Sequence, residues 1–507
     1  MRRTADGSRL GGLGTAGLAV VTALLVWRPL LDLPLLGWDC FPLIAASRIA
    51  SWSDVPATFA RELMDGRYPL GRFWRPLVHL SFGLDHALWG LEPRGYHLTD
   101  LALLAACGAL LVGISGRLFD GAPPARRLGG VAAGLTWVLH PVHYETLTAP
   151  ARRADSLALL FGLWALFCHA REPRAPGPAR RIGVALLCAL ALASKESGVA
   201  AVVVLGLCSA CAGEGGAGGW ASRVRPALAG TWTALLAVAV AFGLRAIALG
   251  GLGGYGDAAP WGALLAPGHL LVEQARGVLL PPAVFPGAPA AAVLAILLVV
   301  VAIVALACRR AREARFPGAL GGGCDAVFLG LWALLLFAVT GLSGKVQGWY
   351  ALPFVAVYAL ALGRLTERGV SALAARRPRG WLGVGASLAG LAVCAAGSIA
   401  GRDAADFRRA GELQATFLDR FERRVRDAAG VEKIAVEGCP SIVAVTRGGA
   451  PVREIFVLGP YSLEAWCELV LPERPVRVFF PRLRSSLERL PGELRVRVNP
   501  RTVNLEH

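Results

Sequence analysis

Residues 11–36 read GGLGTAGLAVVTALLVWRPLLDLPLL, and Gly37-Trp38-Asp39-Cys40-Phe41 follows at once. A helix needs roughly 20 predominantly apolar residues to cross the hydrocarbon of a bilayer, and this run supplies them. It is longer than the apolar part of a signal peptide and lacks a convincing cleavage site, so it is expected to remain as a first span. A carboxylate then stands at the membrane edge. There Asp39 is either a solvated interfacial residue or a general base for an acceptor hydroxyl.

Outward from that run the pattern repeats. Of 507 residues, 55% are hydrophobic and 17% charged, which is too apolar and too charge-poor for an ordinary soluble chain. The formal net charge of +17 would elsewhere suggest nucleic acid. Here Arg and Lys cluster in short connections between apolar runs, a topological signal, so nucleic acid is not an expected partner and membrane lipids are. The 11 cysteines show no metal-ligand spacing. All but Cys439 and Cys467 lie in or beside apolar runs as small hydrophobes. Those two lie in a polar region, where a disulfide would need an oxidising compartment.

By the length criterion about eleven spans are expected, at 11–36, 97–116, 128–141, 153–170, 182–194, 197–212, 228–249, 289–308, 325–342, 350–366 and 381–399. Basic clusters at 2–9, 117–127, 171–181, 223–225, 309–315 and 364–379 fall in alternate connections, which places them and the N-terminus in the cytoplasm. The expectation is an all-α polytopic protein of the cell inner membrane. Residues 1–400 form its transmembrane domain, with external loops at 37–96 and 250–288. Residues 401–507 form a small extracytoplasmic α/β domain, with an amphipathic helix from Asp403 to Ala429 and short β-rich runs after it. In the first loop Trp52, Val55, Phe59 and Leu63 are spaced like an amphipathic helix on the membrane surface. Leu264 to Leu280 reads as interfacial or re-entrant.

Polar residues at the outer membrane edge are where function is sought, because charge there is costly. Phe73-Trp74-Arg75-Pro76-Leu77 places an Arg among aromatics, which is either an anchoring belt or a binding element. Gly95-Tyr96-His97-Leu98 follows. His140-Pro141-Val142-His143-Tyr144-Glu145 sets two imidazoles three apart beside a carboxylate, which reads as a metal-ligand fragment or as a helix-end hydrogen-bond cluster. Arg152-Arg153-Ala154-Asp155 comes next. Lys195-Glu196 lies about 14 residues beyond Arg181, hence roughly 20 Å into the membrane at about 1.5 Å per residue. It is either an ion pair closing a helical hairpin or a cation offered to a lipid phosphate.

In this order the motifs Trp74-Arg75-Pro76-Leu77, Leu80 to Asp85, Trp89-Gly90-Leu91, Gly95 to Leu98, His140 to Glu145, Arg153-Ala154-Asp155 and Lys195-Glu196 resemble the membrane half of a known family. It is that of the transmembrane and tetratricopeptide-repeat-containing O-mannosyltransferases and their bacterial relatives. The similarity covers residues 30–210, with echoes at Val278 to Pro286 and Trp349-Tyr350-Ala351-Leu352-Pro353. The resemblance implies a GT-C helical bundle, a polyprenyl-phosphate sugar donor and inversion at the anomeric carbon. It implies an acidic residue in the first external loop, at Asp39, and donor-phosphate contacts from Arg75, Arg152, Arg153 and Lys195. Further substrate-site candidates are His97, His140, His143, Glu145, Asp155 and Glu196. Relatives commonly carry paired acids after the first span. Here Cys40 follows Asp39, which leaves a divalent metal open, and no tetratricopeptide units follow the last span.

The mechanism this implies has Asp39 take the acceptor proton, the hydroxyl attack the sugar C1 and the polyprenyl phosphate leave. The acceptor is an extracytoplasmic protein or glycan. No Gly-rich phosphate loop or dinucleotide fingerprint occurs, as expected if the donor is a lipid. Two other classes fit the residues less well. A transporter or flippase would show inverted repeats and helices broken at midplane, and a non-catalytic scaffold is favoured only by the missing second acid.

Overall fold

The structure is a computed structural model that describes residues 2–69, 71–173, 176–212, 221–255, 267–280, 289–294, 324–341, 347–377, 379–401, 405–427, 433–437, 439–447, 450–473, 476–479, 493–497 and 505–506. In chain order the helices are α1 (Arg2–Trp27), α2 (Gly37–Ala46), α3 (Pro76–Trp89), α4 (Pro93–Leu118), α5 (Pro123–Leu139), α6 (His143–Leu147), α7 (Arg153–His169), α8 (Pro178–Ser194), α9 (Ala200–Cys211), α10 (Ala221–Leu249), α11 (Pro267–Leu279), α12 (Cys324–Gly341), α13 (Leu352–Ala374), α14 (Gly380–Gly401), α15 (Ala405–Asp427) and α16 (Pro460–Val470).

Helices are what an apolar chain forms in lipid, because no water is present there to satisfy open backbone groups. Among the described residues four helices are long and apolar enough to span a membrane: Pro93–Leu118, Val224–Leu249, Gly348–Ala374 and Gly380–Ser398. Shorter apolar helices cover Gly14–Leu30, Glu196–Cys211 and Cys324–Thr340. On α10 the exposed large apolar side chains are Leu228, Trp232, Leu235, Leu236, Val240, Phe242, Leu244 and Ile247, a surface suited to lipid and not to water. The chain is a predominantly helical, multi-pass membrane protein. The span expected at 289–308 lies mostly outside the described residues, as does much of the second loop.

The chain forms two compact units. The first comprises Met1–Arg28, Asp100–Thr146 and Arg152–Arg402. In it α7 packs on α8, α8 on α10, and α5 on α13. The α5–α13 crossing is close because both helices present glycine. A Cβ on Gly363 would lie 2.5 Å from the Gly129 carbonyl, and one on Gly129 would lie 2.7 Å from the Gly363 carbonyl. Small residues that let backbones approach are the usual basis of helix association in lipid. Trp27 and Trp137 fill the interior and donate to the carbonyls of Val138 (2.8 Å) and Leu104 (2.9 Å).

The second unit comprises Pro29–Thr99, Leu147–Ala151 and Asp403–His507. The strands of its C-terminal segment are β1 (Lys433–Glu437), β2 (Ile442–Arg447), β3 (Ala450–Phe456), β4 (Arg477–Phe479), β5 (Glu493–Arg497) and β6 (Leu505–Glu506). β1 is the middle strand of a parallel three-stranded sheet between β4 and β5. β2 pairs antiparallel with β3 and parallel with β6. Helix α16 packs on α2.

Two expectations are corrected. The first apolar run does not continue as one helix to residue 36: α1 stops at Trp27 and one turn of 3-10 helix covers Arg28–Leu30. Pro29 and Pro34 lack the N–H a continuing helix needs, and each restricts the residue before it. The Trp52 to Leu63 stretch is not one amphipathic helix but the 3-10 turns Trp52–Asp54, Pro56–Ala60 and Leu63–Gly66. Pro56 interrupts the pattern, and Met64 and Asp65 adopt left-handed backbone angles. Trp52 is 91% exposed while Leu63 is buried, so the four residues share no face.

Candidate functional site

In the first unit the chemistry-bearing motifs converge at one end of the bundle. α5 ends at Leu139 because Pro141 follows two residues later, and the chain turns through α6 and a short 3-10 segment, Pro150–Arg152, before entering α7. This turn presents Arg152, Arg153 and Asp155 together. Arg152 donates to Glu145 Oε2 at 3.0 Å and lies over the Trp349 ring, 3.8 Å from its centroid. Arg153 is buried and donates to Asp100 Oδ1 at 2.6 Å, with side-chain exposures of 0% and 4%. A pair so enclosed holds α4 to α7.

Lys195 occupies the break between α8 and the 3-10 turn Glu196–Val199, with extended backbone angles (φ −159°, ψ 150°). Successive side chains of an extended segment point to opposite sides. Lys195 Nζ therefore reaches Asp155, at 2.6 and 2.7 Å from its two oxygens, while Glu196 faces Arg245 at 3.9 Å. Lys195 also lies 4.6 Å from the centroid of the Tyr350 ring. The break is tight: a Cβ on Gly198 would fall 2.2 Å from the Ala191 carbonyl. Neighbouring rings of one 3-10 turn, Trp349 and Tyr350, thus face Arg152 and Lys195, two cations each also held by a carboxylate. Cation–ring attraction strengthens where water is excluded.

The imidazoles of the three motif histidines face backbone groups. His140 Nε2 faces the Val278 carbonyl at 3.0 Å while its Nδ1 accepts from the Val142 amide at 3.1 Å. His143 Nε2 faces the Trp137 carbonyl at 2.7 Å. In the second unit both ring nitrogens of His97 face backbone carbonyls, Leu147 at 2.8 Å and Leu33 at 3.1 Å. Among the described residues no group of three or more His, Cys, Asp and Glu is disposed to hold a metal ion. These donor sets do not fit a metal, and no step is assigned to one.

Asp39 lies in the first turn of α2 in the second unit, half-buried. Its Oδ1 accepts from the Tyr461 hydroxyl at 2.8 Å. Burial, and then the Asp39 carboxylate, push the Tyr461 phenol well above its ordinary range, so it acts as a donor. Arg75 precedes α3 and lies over the Phe73 ring at 4.7 Å, beside a Trp74 that is buried and donates to the Phe59 carbonyl at 2.7 Å. Cys439 and Cys467 are free thiols, each pushed up to about 12 by burial.

The chain is similar to protein O-mannosyl-transferases. It is 35% identical over 137 residues to protein O-mannosyl-transferase TMTC2 of Mus musculus, which is 26% of this chain and 16% of that protein. Against Tmtc1 of Drosophila melanogaster it is 31% identical over 135 residues, 27% of this chain and 15% of the relative. The chain therefore matches only about a sixth of these relatives' length. No family model matches. Among solved structures it is similar to ArnT from Cupriavidus metallidurans bound to undecaprenyl phosphate, with 14% identity, a TM-score of 0.48, and coverage of 92% of this chain and 86% of that one. That likeness is too loose to carry an argument.

Sequence reading missed Tyr461, Trp349, Tyr350, Asp100 and Arg245 as partners of the O-mannosyltransferase-like motifs. For Trp349-Tyr350 a signal existed, since the pair belongs to one of the echoes of the resemblance. No local pattern marks Asp100 or Tyr461, which are 53 and 422 residues from the groups they bind.

Proposed function

We propose that the chain is an inverting glycosyltransferase of GT-C type that moves a sugar, mannose in the first instance, from a polyprenyl-phosphate donor to a hydroxyl of an extracytoplasmic protein or glycan. Its place is the cell inner membrane, with the N-terminus cytoplasmic and residues 401–507 outside. The observation that supports this most is the convergence of Arg152, Arg153, Asp155, Lys195, Trp349 and Tyr350 at one end of a lipid-embedded unit. Three stretches distant in sequence meet there, and the relatives to which this chain is similar are named for mannosyl transfer.

In this reading Asp39 accepts the acceptor's hydroxyl proton as that oxygen forms its bond to the sugar C1. The bond from C1 to the phosphate oxygen breaks, and the phosphate leaves with the electron pair. Charge grows on a phosphate at the membrane edge, where low dielectric makes a held cation worth more than in water. Arg152 and Lys195 take that role. A carboxylate and a ring fix each of them, so little reorganisation is required as charge develops. Arg153 is enclosed with Asp100 and serves the site by holding it. Arg75 is the further cation assigned to the donor.

The test is donor choice. Purified protein in liposomes is given radiolabelled polyprenyl-phosphate mannose or GDP-mannose together with an extracytoplasmic extract. Label should move from the lipid donor and not from the nucleotide sugar. Transfer from the nucleotide alone, or from neither, overturns the reading.

A further inference from the structure

The 401–507 segment would be read by position as an appended module. Its contacts within the second unit say otherwise. Two of its helices grip the short stretch that carries Asp39. From α15, Gln414 donates through Nε2 to the Leu35 carbonyl at 2.7 Å and accepts at Oε1 from the Gly37 amide at 2.7 Å. The Gly37 amide is one of the donors that a helix N-terminus leaves without an intrahelical partner, and Gln414 satisfies it. From α16, Tyr461 donates to Asp39 Oδ1. The Trp38 ring meets Tyr461 edge-on at 6.1 Å and Phe456 at 5.2 Å. A Cβ on Gly37 would fall 2.8 Å from the Leu458 side chain, so the two segments pack closely here.

We propose that Tyr461 is a positioning residue for Asp39, and that the C-terminal segment is thereby part of the catalytic apparatus. A carboxylate rotates freely about its last torsion unless something fixes it. A charge-assisted O–H···O bond from a half-buried phenol fixes one oxygen and with it the plane of the carboxylate. Gln414 fixes the backbone beneath it. This assignment rests on the reading of Asp39 as general base.

The experiment is a double-mutant cycle in the full chain, with polyprenyl-phosphate mannose as probe and kcat and donor KM read separately. Tyr461→Phe keeps the ring and removes only the hydroxyl. It should lower kcat about tenfold, the size expected for loss of a hydrogen bond to a charged group, with donor KM unchanged. Asp39→Asn/Tyr461→Phe should be no slower than Asp39→Asn alone, because Tyr461 acts only through that carboxylate. Glu468→Gln, also on α16 but paired with Arg67, controls for general loosening and should leave kcat unchanged. If Tyr461→Phe turns over like the parent while Asp39→Asn is inactive, the positioning role is wrong and the base stands. Additive losses in the double variant also overturn it. If Asp39→Asn is itself active, the reading of Asp39 fails first.

Discussion

Arg152 and Arg153 are neighbours in different surroundings. Arg153 is enclosed with Asp100 and has no exposed side-chain surface, whereas Arg152 keeps 14% of its side chain accessible. Removing one partner of a buried pair strands the other charge and typically costs about 3–5 kcal/mol. Arg153→Ala should therefore lose folded protein, read as a fall in thermal midpoint or in monodisperse yield from detergent. Arg152→Ala should stay folded and lose transfer. Equal effects of the two on folding would show that the assignment of roles is wrong. Sequence alone showed both arginines as one motif. Which of them turns inward depends on the 3-10 turn at 150–152, a geometry that no residue pattern specifies. The same holds for Lys195, whose partner is Asp155, 40 residues earlier, because an extended residue turns its side chain away from its neighbour's.

At the scale of elements, the α8 break positions Lys195, and Gly198 permits the break. A methyl group there meets the Ala191 carbonyl at 2.2 Å, so Gly198→Ala should cost about 1–3 kcal/mol of stability through overpacking and reduce transfer with it. A variant as stable and active as the parent would mean that the turn relaxes freely. Between α2 and α3, His79 is fully enclosed, with Nδ1 3.1 Å from the Ser47 hydroxyl. Burial is the main cause that lowers its pKa below the model-peptide value of 6.5. The unfolded chain then takes up the proton first. His79 contributes stability above pH 6.5 that is lost as pH falls toward its folded value. Unfolding measured from pH 7.5 down to pH 5.5 should show this decline, and His79→Gln should flatten it. An unchanged slope in the variant would remove His79 from the account. The apolar runs that became these helices were legible because lipid leaves them no alternative. Their ends were less so: prolines stopped α1, and Pro56 with left-handed Met64 and Asp65 broke the expected surface helix.

For the whole molecule, the second unit gathers residues from 29–99, 147–151 and 403–507, a grouping formed by packing between segments far apart in the chain. Composition and hydropathy mark membrane residence clearly, and basic clusters mark a sidedness. Neither marks which segments pack together. The proposed orientation is tested by reporters fused after Arg117 and to the C-terminal segment, the first active only in the cytoplasm and the second only outside it. The reverse pattern would overturn the sidedness.

In the proposed reaction a single carboxylate, Asp39, drives sugar transfer from a lipid phosphate. The most direct measurement compares turnover and binding of radiolabelled polyprenyl-phosphate mannose by the parent protein and by Asp39→Asn, which preserves shape and removes the base. Loss of a positioned general base typically costs about a hundred- to ten-thousand-fold in rate. A loss of that size is expected, with donor affinity and thermal stability retained. Turnover by Asp39→Asn close to that of the parent would contradict it.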